Sequence, residues 1–107
     1  MTYKVKVSKT SAADIERQVR YIAEVRLEPV SALRWRQGIL SVIDGLSEFP
    51  RSHPVAPESE GLDADIRGAV FLSHRILFGV DDEAQTVTVY RVVHGASIVR
   101  DRELDAE

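Results

Sequence analysis

The chain of 107 residues contains no cysteine. This absence excludes disulfide bonds and thiolate metal sites, and it fits a reducing cytoplasm. No apolar stretch approaches the roughly 20 residues that are needed to span a bilayer. The first seven residues alternate between polar and apolar side chains instead of forming the apolar core of a signal peptide, so we expect no export. The sequence therefore predicts one small cytoplasmic domain.

The chain also lacks a basic excess. Its 17 acidic residues exceed its 14 lysines and arginines, and the formal net charge is −3. The only lysines are Lys4, Lys6 and Lys9, at the start of the chain. After residue 10, arginine replaces lysine throughout. Because nucleic-acid-binding domains usually carry a positive excess, this composition argues against a dedicated nucleic-acid-binding protein.

Motifs for metal, phosphate and serine chemistry are missing as well. The three histidines, His53, His74 and His94, are too dispersed to form a recognisable metal signature. There is no glycine-rich phosphate loop, and no serine has the surroundings of a nucleophile elbow. We therefore expect no metal ion and no other cofactor.

The first half of the chain predicts one strand and two helices. Residues 2–8 alternate with a period of two, which is typical of a strand with one solvent-facing side. Apolar residues at helical spacing then predict an amphipathic helix that begins near Ser8–Ser11 and ends near Leu27. A second helix should begin at Pro29 and end before Phe49.

The second half predicts a surface loop and three strands. Residues 51–60 contain two prolines and little apolar matter, which is typical of a surface loop. Segments rich in β-branched and aromatic residues predict strands at 65–70, 70–80 and 86–94. We expect residues 1–95 to form the single domain and residues 96–107 to form a polar C-terminal tail.

The resulting order, β-α-α-β-β-β, predicts an α+β fold. Two helices that are joined by a short turn pack antiparallel as a helical hairpin. The apolar stripe of the hairpin needs a surface, and one face of a small antiparallel sheet supplies it. The other face of the sheet should then be uncovered and available to a partner.

The predicted strands contain three arginines, Arg67, Arg75 and Arg91. A guanidinium stays charged at any workable pH, and burying it without a partner costs several kcal/mol. These arginines either pair with carboxylates of the chain or bind an anionic partner through bidentate hydrogen bonds. The candidate internal partners are Asp63, Asp65 and Glu16.

His94 ends the last predicted strand, close to Arg91. Because its pKa lies near neutrality, it could act as a general acid or base in phosphodiester cleavage. The alternative is a histidine that is simply hydrogen-bonded at the end of a strand, and the sequence leaves both open.

Several segments, in their order and spacing, resemble a known superfamily. They are Tyr3–Ser8, Ala12–Ile15, Leu46–Pro50, Ile66–Arg67, His74–Phe78 and Tyr90–Gly95. Over residues 3–95 the chain is similar to ParE/RelE-superfamily toxins of type II toxin–antitoxin systems. The resemblance implies the fold predicted above. It also implies a cognate, ParD-like antitoxin that forms a hetero-oligomeric complex with the toxin.

Two activities occur in the superfamily. ParE-like relatives inhibit DNA gyrase and are not enzymes, whereas RelE-like relatives cleave messenger RNA on the ribosome. The loop at residues 51–65 contains four acids and no lysine, and a negative net charge is unfavourable for binding RNA phosphates. These departures favour the ParE-like branch and gyrase inhibition, with a ribosome-dependent mRNA endoribonuclease as the alternative.

Each branch assigns a role to the same arginines. In a ParE-like toxin, acidic side chains of the antitoxin would meet Arg67, Arg75 and Arg91 in an exposed groove. In a RelE-like ribonuclease, His94 would be the acid or base and the three arginines would bind the phosphate. We predict partner binding first and catalysis second.

Overall fold

The computed structural model describes residues 2–60 and 65–95. The elements are β1 (Lys4–Val7), α1 (Lys9–Arg20), α2 (Pro29–Gly45), β2 (Ile66–Phe71), β3 (His74–Asp81) and β4 (Thr86–His94). This confirms the predicted order and the α+β class. Asp63 and the predicted tail at 96–107 lie outside the described residues. Within the described ranges, no helix is long and apolar enough to cross a membrane.

The four strands form one mixed sheet in the order β1-β4-β3-β2. Strands β2, β3 and β4 are antiparallel, as predicted, but β1 pairs with β4 in parallel. A tight connection forces antiparallel pairing only between strands that follow one another along the chain. Because β1 reaches the sheet through both helices, its direction is not set by a hairpin, and the prediction of an entirely antiparallel sheet was wrong on this strand.

The turn between β2 and β3 lies at Leu72 and Ser73, whereas the sequence predicted that the two strands meet at Val70. The segment Val70-Phe71-Leu72-Ser73 contains no glycine, proline, asparagine or aspartate, and Ser73 is its one residue of a type that is common in turns. Leu72 has a φ of 52°, in the left-handed region. An apolar turn residue in this conformation gave no turn signal in the sequence.

Helix α1 is capped by Ser8, whose Oγ accepts a hydrogen bond from the Ser11 N–H at 3.0 Å. The helix therefore begins within the range Ser8–Ser11 that the sequence predicted. The helix widens over Tyr21–Val25, where the Arg26 N–H donates to the Tyr21 carbonyl. Leu27, with a φ of 57°, ends it.

The helices bury their apolar residues on one face of the sheet. The core contains Ile15, Ile22, Trp35, Ile39 and Ile43 of the helical segments and Ile76, Phe78, Val87, Val89 and Val92 of the strands. Helix α2 crosses β2 closely, because a Cβ at Gly38 would lie 2.3 Å from the Phe71 ring. The prediction that the helical hairpin packs on one face is confirmed.

The opposite face is partly covered by residues 50–60, which we call the strap. At its start, the His53 ring contacts Phe78 on the helix-bearing face, with centroids 5.7 Å apart. The strap then passes along the outer edge of β2, where the Ala56 N–H donates to the Ile66 carbonyl at 2.7 Å. The chain therefore wraps around this edge of the sheet.

On the opposite face, the strap contributes to a second, smaller core. Ala56 packs there with Ile66, Leu77 and Val93. The expectation that this face is wholly uncovered was therefore wrong, because a loop with few apolar residues still supplies one buried alanine and a long backbone contact. The part of this face that carries Thr86, Thr88 and Tyr90 remains open as a shallow cavity.

Candidate functional site

Arg67 holds the start of the strap. Its Nη1 donates to the carbonyl oxygens of His53 at 2.7 Å and Arg51 at 3.1 Å, and its Nη2 lies 3.0 Å from Asp65. Arg67 is directly opposite Phe78, which places it on the helix-bearing face of β2. Asp65 was one of the internal partners considered from the sequence, and the structure brings this pair together.

Arg75 holds the end of the strap on the opposite face. Its two terminal nitrogens bind the two carboxylate oxygens of Glu58 at 2.8 and 2.6 Å. The Glu58 side chain is fully buried and that of Arg75 is 14% exposed. This hydrogen bonding raises the pKa of the Arg75 guanidinium further above its usual value, despite an opposing effect of burial. A bidentate pair of this kind fixes both the distance and the orientation of the two side chains.

The edge of β4 explains the position of Arg91. Strand β1 ends at Val7, opposite Val89, so β4 continues beyond its neighbour. The first turns of α1 cover that edge with side chains: Ser11 Oγ donates to the Val89 carbonyl and Ser8 Oγ to the Tyr90 carbonyl. Polar side chains of α1 thus replace the missing strand, which satisfies edge groups that would otherwise need water.

Asp14 extends this arrangement by one helical turn. Its carboxylate accepts a hydrogen bond from the Val92 N–H at 3.0 Å and from Arg91 Nε at 2.7 Å. Arg17 also binds Asp14, at 3.1 Å. The Asp14 side chain is 3% exposed, so a buried carboxylate joins α1, β4 and two arginines. Asp14 was not among the site residues predicted from the sequence.

Beside this ion pair lies a cavity of about 270 Å³, which we call the polar pocket. It is lined by Asp14, Arg17, Gln18, His74 and Arg91–His94. Arg91 and His94, both predicted as site residues, therefore lie together. Arg67 and Arg75 do not line this pocket, so the predicted set of three arginines is divided among three places.

His74 is a residue of the polar pocket that the sequence analysis did not select. Its ring lies 5.3 Å from the Trp35 ring and 5.7 Å from the His94 ring, measured between centroids. Burial lowers the pKa of His74, and the nearby His94 lowers it further. The period-two pattern could have found it, because His74 lies on the same side of β3 as Ile76 and Phe78.

The chemistry available in the polar pocket is that of histidines and guanidiniums. The two guanidiniums share the carboxylate of Asp14, which offsets much of their positive potential. In the part of the chain that the structure describes, no group of three histidine, aspartate or glutamate side chains is arranged to hold a metal ion.

A second cavity, also of about 270 Å³, lies between the helical hairpin turn and the β2–β3 turn. We call it the apolar pocket. Its lining includes Ile22, Trp35, Phe71 and Leu72 together with the charged residues Arg26, Glu28 and Arg34. Trp35 is 7% exposed and belongs to the core, and the cavity beside it was not predicted from the sequence.

The chain matches the model of a protein family. The model of the ParE toxin of type II toxin–antitoxin systems, parDE, matches residues 5–99. A search of curated proteins finds no match.

Solved structures of toxins share the fold. The chromosomal ParDE system of P. aeruginosa gives a TM-score of 0.69 at 17% identity, over 87% of this chain and 96% of that chain. The RelBE2 toxin–antitoxin complex of Mycobacterium tuberculosis gives 0.62 at 26% identity, over 91% and 95%. The archaeal RelE–RelB complex of Pyrococcus horikoshii gives 0.58 at 18% identity, over 90% and 98%.

Proposed function

Because this chain belongs to the ParE toxin family of type II toxin–antitoxin systems, we propose that it inhibits DNA gyrase. We propose further that it acts in the cytoplasm and is neutralised by a ParD-like antitoxin in a hetero-oligomeric complex. The observation that supports a protein target over RNA is the internal neutralisation of the strand arginines. Each of Arg67, Arg75 and Arg91 binds a carboxylate of the chain itself.

A phosphate that approached these arginines would meet negatively charged carboxylates. A phosphate that approached Arg75 would have to displace or adjoin the buried Glu58, and at Arg91 it would adjoin Asp14. Both carboxylates would repel it at short range, in surroundings where screening by water is weak. RNA binding gains most of its affinity from cations that neutralise phosphates. A chain with a net charge of −3, whose strand arginines are already paired, offers few cations that could neutralise RNA phosphates.

The predicted role of the arginines in antitoxin binding stays a prediction. We propose Arg91, with Arg17, as the contact for antitoxin carboxylates, because both line an open pocket. For Arg67 and Arg75 the same role would require a partner carboxylate to share or replace Asp65 or Glu58. The P. aeruginosa, M. tuberculosis and P. horikoshii relatives are named as toxin–antitoxin systems or complexes, which supports an antitoxin as the partner.

The polar pocket supports a second candidate, the ribosome-dependent mRNA endoribonuclease. The pKa of His74 is lowered, so His74 is neutral near pH 7, and the His94 ring lies beside it. A neutral imidazole near guanidiniums could accept the proton of an RNA 2′-hydroxyl while an arginine binds the phosphate. In this alternative, His94 is the acid or base, and Arg91 is the phosphate contact.

A supercoiling assay tests the gyrase proposal. Purified toxin, in molar excess over gyrase, should block ATP-dependent supercoiling of relaxed plasmid. Prior mixing with the protein of the neighbouring reading frame, the expected antitoxin, should restore supercoiling. Normal supercoiling at toxin excess would reject the proposal.

Primer extension on total RNA after toxin induction serves as the second arm. New cuts within codons that disappear in a His94→Ala variant would instead establish the ribonuclease. An intact transcript pool during growth arrest would reject that alternative.

A further inference from the structure

Two exposed leucines with left-handed backbones flank the apolar pocket. Leu27 has a φ of 57° and is 78% exposed, and Leu72 has a φ of 52° and is 73% exposed. The left-handed region costs a residue with a Cβ about 1 kcal/mol, and glycine or asparagine usually occupies it. Leu72 lines the pocket, and Leu27 lies between the pocket residues Arg26 and Glu28. Both turns thus present large apolar side chains to solvent at a conformational cost.

The pocket between these turns has the size and lining of a site for a single apolar side chain. Its walls include Ile22 and the aromatic rings of Trp35 and Phe71, which contact each other edge to face at 6.1 Å. Its volume, about 270 Å³, lies just below the roughly 300–1,000 Å³ of small-molecule sites. A leucine or phenylalanine from a partner would bury itself against rigid aromatic walls, as anchor residues do at protein interfaces.

The charges around the pocket indicate the chemistry of that partner. Arg26 is paired with Glu28 at 3.0 Å, but Arg34, which also lines the pocket, makes no ion pair with any residue that the structure describes. A carboxylate next to the apolar anchor would therefore find a cation beside the pocket. This differs from the polar pocket, where both arginines already bind Asp14.

We propose that the apolar pocket is the anchor site for the antitoxin. An acidic antitoxin segment inserts one leucine or phenylalanine between Trp35 and Leu72, and a neighbouring carboxylate pairs with Arg34. Binding covers the exposed apolar surface of Leu72 and Leu27, which supplies affinity in proportion to the area removed from water. This inference rests on the proposed function, because the toxin–antitoxin assignment supplies an antitoxin as the partner, and Arg34 supplies the reason to expect a carboxylate in it.

The chain offers a matched pair of variants for the test. Leu72→Gly removes the anchor-site side chain and relieves its left-handed backbone, so the variant should fold. Phe49→Gly is the control, because Phe49 also has a φ of 52° and is 80% exposed. It lies beyond the far end of α2, a helix of 17 residues, which separates the two sites by roughly 25 Å at about 1.5 Å per residue.

Isothermal titration calorimetry with the purified product of the neighbouring reading frame gives the measurement. We expect Leu72→Gly and Arg34→Glu each to weaken binding about tenfold or more, and Phe49→Gly to change it less than about threefold. Arg34→Lys, which keeps the charge, should retain most of the affinity. Trp35 is the only tryptophan of the chain, so its fluorescence should also change when a tryptophan-free antitoxin binds.

Three results would overturn the proposal. Equal affinities of Leu72→Gly and Phe49→Gly would show that the antitoxin does not use this pocket. Failure of the wild-type chain to bind the neighbouring gene product would reject the antitoxin as occupant. Self-association of the free chain that Leu72→Gly abolishes would assign the pocket to a second copy. All three results come from binding or self-association measurements and do not depend on the supercoiling assay. A failure of the gyrase proposal can therefore be distinguished from a failure of the anchor-site proposal.

Discussion

The polar pocket and the apolar pocket are connected through Trp35, which lines the apolar pocket and contacts His74 of the polar pocket. The two pockets differ in which of their groups lack a partner within the chain. In the polar pocket, Arg17 and Arg91 are bound to the buried Asp14. In the apolar pocket, large hydrophobic side chains remain exposed at turns with unfavourable backbone angles. The sequence pointed to charged residues as the binding site, yet the fold pairs these charges internally. The surface that most clearly lacks a partner is the exposed apolar surface of Leu27 and Leu72.

The same contrast separates the end of the strap from the two turns beside the apolar pocket. Glu58 and Arg75 form a buried ion pair, and removing either partner alone leaves a buried charge. Leu72 and Leu27 could be replaced by glycine at little cost to the folded state. Variants of the Glu58–Arg75 pair should therefore change the stability of the fold. Variants of Leu72 and Leu27 should instead change the affinity for the antitoxin.

The largest effect is expected when one partner of the strap ion pair is removed. Arg75→Met should lower the free energy of unfolding by about 3 kcal/mol, because Glu58 stays buried without its cation. Urea denaturation followed by circular dichroism measures this change. The double variant Arg75→Met/Glu58→Met should regain most of the loss, since two apolar side chains can replace a buried pair. A single variant as stable as the wild type would contradict the buried-pair account.

The second effect concerns the edge of β4. Asp14→Ala should lower the free energy of unfolding by about 2 kcal/mol, because the Val92 N–H and Arg91 lose a buried acceptor. The matched control is Glu16→Ala on the same helix, which removes a half-exposed partner of Arg36. Exposed pairs contribute about 0–1 kcal/mol, so the control should lie near wild type. Equal losses in both variants would show that Asp14 is not specifically required at the edge.

The smallest effect is a pH dependence that arises from His74. Burial lowers the pKa of His74 below its usual value of 6.5, so the unfolded chain takes up a proton before the folded chain does. The contribution of neutral His74 to stability is present above the unfolded pKa and decreases as the pH falls through it. Between about pH 7 and pH 5 the urea midpoint should fall less steeply in His74→Phe than in the wild type. Identical slopes would contradict this assignment.

The sequence predicted the elements that have strong periodicity. The helical stripe of α2 and the alternating strands β3 and β4 appear as expected, because burial on one face imposes their periods. Two features could not be predicted. The parallel direction of β1 depends on tertiary packing, and the turn at Leu72 uses an apolar residue where turn chemistry normally supplies a signal.

The candidate site was predictable only in part. Arg91 and His94 come together in one pocket because they lie near the end of the same strand. Their neighbours Asp14 and Arg17 come from a helix more than seventy residues earlier, and sequence spacing does not reveal such contacts. The arginines of β2 and β3 were recognised as unusual, but the strap that binds them was predicted only as a surface loop.

Antitoxin affinity of the neutral double variant tests most directly whether the antitoxin contacts the strap ion pair or the apolar pocket. Arg75→Met/Glu58→Met, folded and compared with Leu72→Gly in the same calorimetric titration, should bind the antitoxin within about threefold of wild type, while Leu72→Gly binds about tenfold or more weakly. A double variant that loses binding while Leu72→Gly retains it would place the antitoxin contact at the Arg75–Glu58 site and contradict the anchor-site proposal.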